Sequence, residues 1–136
     1  HVERTLRPAL AAGRVVITDR YVDSSIAYQG AVRGLGAPRI AELNAWATDG
    51  LVPDLTVLLD AEPETAAGRR TGRERAGGGA PDRMEQETAS AHGTLRAAFL
   101  ARAHQEPARY LVLDAARPPE ELTRRIVERV LTAAAR

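Results

Sequence analysis

Five residue types that could build a ligand site crowd into one short stretch of the chain. Asp19-Arg20-Tyr21 brings a carboxylate, a guanidinium and a phenol side by side, and Ser24, Ser25, Tyr28 and Gln29 follow within about two helical turns. Arginine forks onto phosphate oxygens, and a single carboxylate can hold a divalent cation through water. The chemistry this combination suits is an anion-plus-ring pocket. The bland alternative is that Asp23-Ser24-Ser25 only caps a helix, as such residues often do.

The elements that must position these groups can be read from periodicity. Val15-Val16-Ile17, within Arg14 to Thr18, is a short apolar run that predicts a buried parallel strand. Asp19 and Arg20 would then sit at its carboxyl end, where open α/β sheets bind ligands. Asp23-Ser24-Ser25 predicts a helix start, and the helix over 24–32 would carry Tyr28 and Gln29 on the face of Ser24 and Ser25. Before the strand, 2–12 has helical spacing, with Pro8 expected to kink it and Gly13 to stop it. After it, Pro38 opens a helix that Gly50 ends. Its expected apolar face is Ile40, Leu43, Trp46 and Ala47, with Trp46 read as core ahead of a ligand-stacking role.

Leu55 to Asp60 predicts a second strand, again ending in an acid, and Pro63 a helix after it. The stretch 69–83 (RRTGRERAGGGAPDR) is rich in Arg and Gly and predicts a mobile loop. Asp82 to His104 predicts a long helix with Met84, Thr88, Ala91, Leu95, Ala98 and Phe99 inward, Arg109 to Asp114 a third strand, and Pro118 onward a last helix with Leu122, Ile126, Val130 and Leu131 inward. Strands alternating with helices predict an α/β fold on a parallel sheet. His92 and His104 have no second ligand four residues away, so surface or boundary placement is the expectation for both.

Composition bounds the function. The chain has 136 residues, a formal net charge of +1 and no cysteine. The charge points to no nucleic acid or membrane partner. The missing cysteines exclude disulfides and thiolate metal sites and fit a cytoplasmic setting. No apolar run approaches the ~20 residues a membrane span needs. Every basic residue besides histidine is arginine, so no P-loop lysine comes from this chain. His1 rather than Met at the start, with no signal-peptide pattern, is read as a missing N-terminal portion.

DRYVDSSIAYQG closely resembles the strand-to-helix segment of bacterial thymidylate kinases. WATDGLVPDLTVLLDAEPETA, GRRTGRERAGGGAPDRMEQE and RYLVLDAARPPEEL resemble the family's Pro-Asp strand, its lid and its last strand. The resemblance implies a single 1–136 domain, with the lid at about 69–83, of parallel-sheet P-loop kinase fold (three-layer α/β/α). It also implies that the N-terminal P-loop strand, the thymine-stacking phenylalanine and a monophosphate-binding arginine are supplied by residues before His1. The implied reaction transfers the γ-phosphate of ATP to dTMP with Mg²⁺. In it Asp19 (also the metal ligand), Arg20, Arg69, Arg73 and Arg75 act on the phosphates, Ser24, Ser25, Tyr28 and Gln29 bind dTMP, and Ala116 and Arg117 lie along the adenine. The family is usually a homodimer, with the helices at Val2 and Ser24 as candidate contacts. This chain alone is expected to be inactive or nearly so. Competing readings are another deoxynucleoside or nucleotide kinase, a non-catalytic nucleotide-binding remnant, and an α/β scaffold with no ligand.

Overall fold

A computed structural model of the chain describes residues 1–62 and 89–134. The lid arginines Arg69, Arg70, Arg73 and Arg75, the helix expected from Pro63 and the inward residues Met84 and Thr88 lie outside the described residues. The chain divides into two compact units, His1–Val52 and Pro53–Arg136.

The first unit is helical. Helix α1 is a π-helical turn, Val2–Leu6, continued by an α-helix, Arg7–Ala11. Pro8 sits in the first turn of the α-helical part, and the regular α-helix is confined to Arg7–Ala11, with the wider π-helical turn before it. The end is a Schellman closure: Gly13 turns left-handed at φ 69°, and Arg14 N–H returns to the Ala9 carbonyl at 3.1 Å.

The strand expected at 14–18 is not there. These residues have no regular structure, and Val15 and Ile17 are 71% and 90% exposed. A strand exists only through a ladder with a neighbour, and no strand lies in this unit among the described residues.

Helix α2 starts as an α-helix, Val22–Ser25, and widens into a π-helix, Ile26–Val32. Its N-cap is Tyr21 rather than Asp23 or a serine, and no side chain caps it there. The Tyr21 phenol donates instead to the Leu51 carbonyl at 3.3 Å. Gly30 lies so close to helix α3, Ala37–Ala47, that a Cβ on it would meet Ala37 Cα at 2.8 Å. Asn44 Nδ2 on α3 donates to the Val22 carbonyl at 3.3 Å, and Arg7 Nη2 donates to the carbonyls of Thr48 and Asp49, both at 3.0 Å. Arg7 thus covers carbonyls at the end of α3 that the helix cannot satisfy itself.

Trp46 is a correction. It is 82% exposed, and Leu43 is exposed too. The covered stripe of α3 runs through Ala37, Ile40, Ala41, Asn44 and Thr48, at helical spacing, which turns Leu43 and Trp46 outward.

The second unit holds a two-stranded parallel sheet, β1 (Thr56–Asp60) beside β2 (Tyr110–Asp114), in register from Thr56↔Tyr110 to Asp60↔Asp114. Helix α4 (Ala89–Gln105) packs on both strands and helix α5 (Pro119–Ala134) on β2. Leu113 is fully buried, with Ala103, Tyr110 and Ala115 around the same core. Arg109 ties the strand starts together: Nη1 donates to Thr56 Oγ1 at 2.8 Å, and the guanidinium lies 4.7 Å from the Tyr110 ring centroid. On α5, Leu122, Ile126 and Val130 are half-buried, but Leu131, expected inward, is exposed. Two of the three expected strands are therefore present among the described residues.

Candidate functional site

The stretch expected from sequence to carry the chemistry lies in the first unit. Asp19 and Arg20 do not cap a strand; they form a bend between the irregular 14–18 segment and α2. Arg20 adopts φ 67°, the left-handed region that residues with a Cβ seldom occupy. This turn brings its guanidinium 5.2 Å from the Tyr28 ring centroid. That distance is within the range of cation–π attraction. Tyr28 is 5% exposed, and Ser24, Ser25 and Gln29 are half-buried around it on α2. Asp23, expected only as a cap, is as buried as Tyr28 and sits inside the first turn of α2. The cation and the ring predicted from sequence are thus adjacent, and the exposed Asp19 immediately precedes Arg20 in the chain.

Among the described residues no group of three or more His, Cys, Asp or Glu could hold a metal. Mg²⁺ does not need one: it is commonly held by one or two carboxylates, waters and substrate phosphates. The exposed carboxylate of Asp19 fits that mode. Among the described residues no helix is long and apolar enough to cross a membrane.

The second unit carries a charged cluster at the carboxyl edge of its sheet. Arg96 on α4 forks onto Asp60, Nε to Oδ1 at 2.7 Å and Nη2 to Oδ2 at 2.9 Å. The same guanidinium donates to both oxygens of Glu62, at 2.8 and 2.7 Å. The Arg96 hydrogen bond holds the Asp60 carboxyl below the usual carboxylate range, against the opposing effect of burial, and Arg96 is pushed above its ordinary value by Asp60 and then Glu62.

Next to this cluster the chain leaves β2. Ala115 N–H donates to the Asp60 carbonyl at 2.7 Å, and Ala116 N–H to Asp114 Oδ1 at 2.8 Å, an Asx-type turn. Arg117 is exposed and paired with Glu121 one helical turn on, which raises its pKa. Ala116 and Arg117, expected along a nucleotide base, are therefore on a loop fixed by backbone and carboxylate contacts.

Arg96 and Glu62 were missed by sequence reasoning. The available signal was the Asp-x-Glu at the end of β1 together with an arginine on α4 beside the apolar stripe of Leu95 and Phe99.

Residues 1–126 match the family model "Thymidylate kinase". The chain is 52% identical over 126 residues to a thymidylate kinase of Leifsonia xyli subsp. xyli, covering 93% of this chain and 58% of that protein. It is 54% identical over 123 residues to one from Clavibacter michiganensis subsp. michiganensis, covering 90% of this chain and 56% of that protein. A thymidylate kinase of Deinococcus radiodurans is 50% identical over 121 residues, 89% of this chain and 56% of that protein. The chain thus spans a little over half the length of the curated relatives it matches. Half or more identical residues across nine-tenths of the chain, with a family model matched along nearly its whole length, leave one conclusion: the chain belongs to the thymidylate kinase family.

Proposed function

We propose that this chain forms part of an enzyme that converts ATP and dTMP to ADP and dTDP. A phosphate oxygen of dTMP attacks the γ-phosphorus of ATP, the bond from that phosphorus to the β-γ bridging oxygen breaks, and ADP leaves. The observation that carries the reading is the Arg20 guanidinium standing over the buried Tyr28 ring. A fixed cation beside an apolar ring surface suits a ligand that is anionic at one end and a nucleoside at the other.

Arg20 clamps a substrate phosphate in this reading, Tyr28 crowds the 2′ position and so favours deoxyribose, Gln29 meets the thymine, and Ser24 and Ser25 line the pocket. Asp19 would hold Mg²⁺ through water, and that ion would neutralise charge on the transferring phosphates. Phosphoryl transfer asks the protein mainly for position and positive charge. Arg69, Arg73 and Arg75 are assigned to that role by resemblance alone, as are Ala116 and Arg117 to the adenine. A single kinase domain with a lid at about 69–83, a three-layer α/β/α fold, a homodimer meeting through the helices at Val2 and Ser24, and a cytoplasmic setting complete the proposal. Family membership supports each of them.

The test is a coupled ADP-release assay with Mg-ATP and, in turn, dTMP, dUMP and thymidine. A full-length enzyme carrying this sequence is expected to use dTMP in preference to both others; preference for thymidine would overturn the substrate assignment in favour of a deoxynucleoside kinase. The 136-residue chain by itself is expected to show no turnover. It contains neither G-x-x-x-x-G-K-[ST] nor any lysine, so it lacks the backbone cradle and the cation that hold the donor phosphates. Turnover by this chain near that of the full-length enzyme would refute that expectation.

A further inference from the structure

Arg96 uses all three of its guanidinium nitrogens at one place, the carboxyl end of β1. Two N–H groups fork onto Asp60 and the guanidinium also spans Glu62, with contacts between 2.7 and 2.9 Å. The Arg96 and Asp60 side chains are 30% and 22% exposed, so the fork is sheltered more than an ordinary surface pair. Asp60 is not only a carboxylate: its carbonyl accepts the Ala115 N–H at 2.7 Å, one residue before Ala116. A continuous series of short, directional contacts therefore runs from α4 through the Asp60 side chain and backbone to the loop after β2. That loop has a second fastening from its own strand, Asp114 Oδ1 to Ala116 N–H at 2.8 Å.

We infer that Arg96 is a positioning residue for the donor nucleotide: it fixes Asp60, and through the Asp60 carbonyl the loop Ala115–Arg117, so that the loop is preorganised for the adenine of ATP. The inference rests on the proposed placement of Ala116 and Arg117 along that base. A bidentate guanidinium sets the orientation of a carboxylate, whereas a single ammonium does not, so charge alone does not replace Arg96. Freedom of the loop before binding would have to be frozen out on binding, which raises the donor KM without touching the acceptor site.

The test compares Arg96→Met, Arg96→Lys and Ala116→Leu in a full-length enzyme carrying this sequence, with KM measured separately for ATP and for dTMP. Arg96→Met is expected to raise the ATP KM by about tenfold, the size of one charge-assisted hydrogen bond, and to leave the dTMP KM within about twofold. Arg96→Lys is expected to fall between wild type and Arg96→Met. A purely architectural ion pair would lower the melting temperature and the active fraction while leaving both KM values alone. That result, or equal rises in both KM values, overturns the inference. If Arg96→Met yields no folded enzyme, the same KM split in Arg96→Lys decides. Ala116→Leu separates the two levels. If it leaves the ATP KM unmoved, the loop's assignment to the adenine fails; if it raises the ATP KM and the Arg96 variants do not, only the positioning role fails.

Discussion

Arg20 is held at φ 67° while its guanidinium stands over the Tyr28 ring. A left-handed residue with a Cβ costs about 1 kcal/mol or more, and such outliers gather at binding sites. Arg20→Gly removes the charge and the strain together; Arg20→Ala removes the charge and keeps the strain. The glycine variant is therefore expected to be the more stable of the two by about 1 kcal/mol in urea unfolding, although both lose the cation proposed to bind phosphate. Equal stabilities would mean that the backbone at residue 20 relaxes. Asp60 gives a second test, in pH. Its carboxyl is held down chiefly by Arg96, so its folded-state pKa lies below the unfolded one. The stabilisation is then present in full above the usual carboxylate range and is lost as pH falls through and below it. Asp60→Asn is expected to lower the urea midpoint more near pH 7 than near pH 3, roughly either side of that range. A loss independent of pH would place the effect in packing rather than charge.

At the scale of elements, α2 and α3 approach at a point that only a glycine permits. A Cβ on Gly30 would press on the Cα of Ala37 at 2.8 Å, and backbone cannot step aside as a flexible side chain would. The connection is short as well: Leu35 N–H returns to the Gln29 carbonyl at 3.1 Å and Gly36 N–H to the Gly30 carbonyl at 3.0 Å. Gly30→Ala is expected to destabilise the first unit by about 1–3 kcal/mol, the usual range for overpacking, read by urea unfolding followed by circular dichroism. An unchanged midpoint would show that the two helices can slide apart without penalty. Because Tyr28 sits two residues before Gly30, the same variant tests whether helix packing holds the ring in place.

Across the whole molecule, Trp46 is a convenient reporter, since it is the single tryptophan and is 82% exposed. Its fluorescence in the 136-residue chain is expected to resemble that of an indole in water, to be quenched freely by iodide, and to shift little on unfolding. A blue-shifted, protected emission would mean that something covers α3 in solution, for example a second copy of the chain. Val15 and Ile17 are exposed in the same unit, so an apolar run that reads as interior lies open to water here.

Much was legible beforehand. β1, β2 and α3–α5, where described, fall close to where periodicity placed them, because Pro, Gly and strongly apolar runs act locally. The family resemblance was equally legible, since it depends only on the order of residues. Other features were not. The strand at 14–18 failed because pairing needs a neighbour that local sequence cannot supply. Trp46 was misplaced because one outward turn of a helix looks much like the next until the packing partner is known. The Arg96–Asp60–Glu62 cluster joins residues more than thirty positions apart, and no pattern of short period announces such a meeting. Residue order by itself determined the family, the main helix and strand locations and the cation-and-ring segment, for these depend on local chemistry. The tertiary structure alone decided which apolar faces are covered and which distant charges meet, because burial and ion pairing are relations between surfaces that only folding brings together.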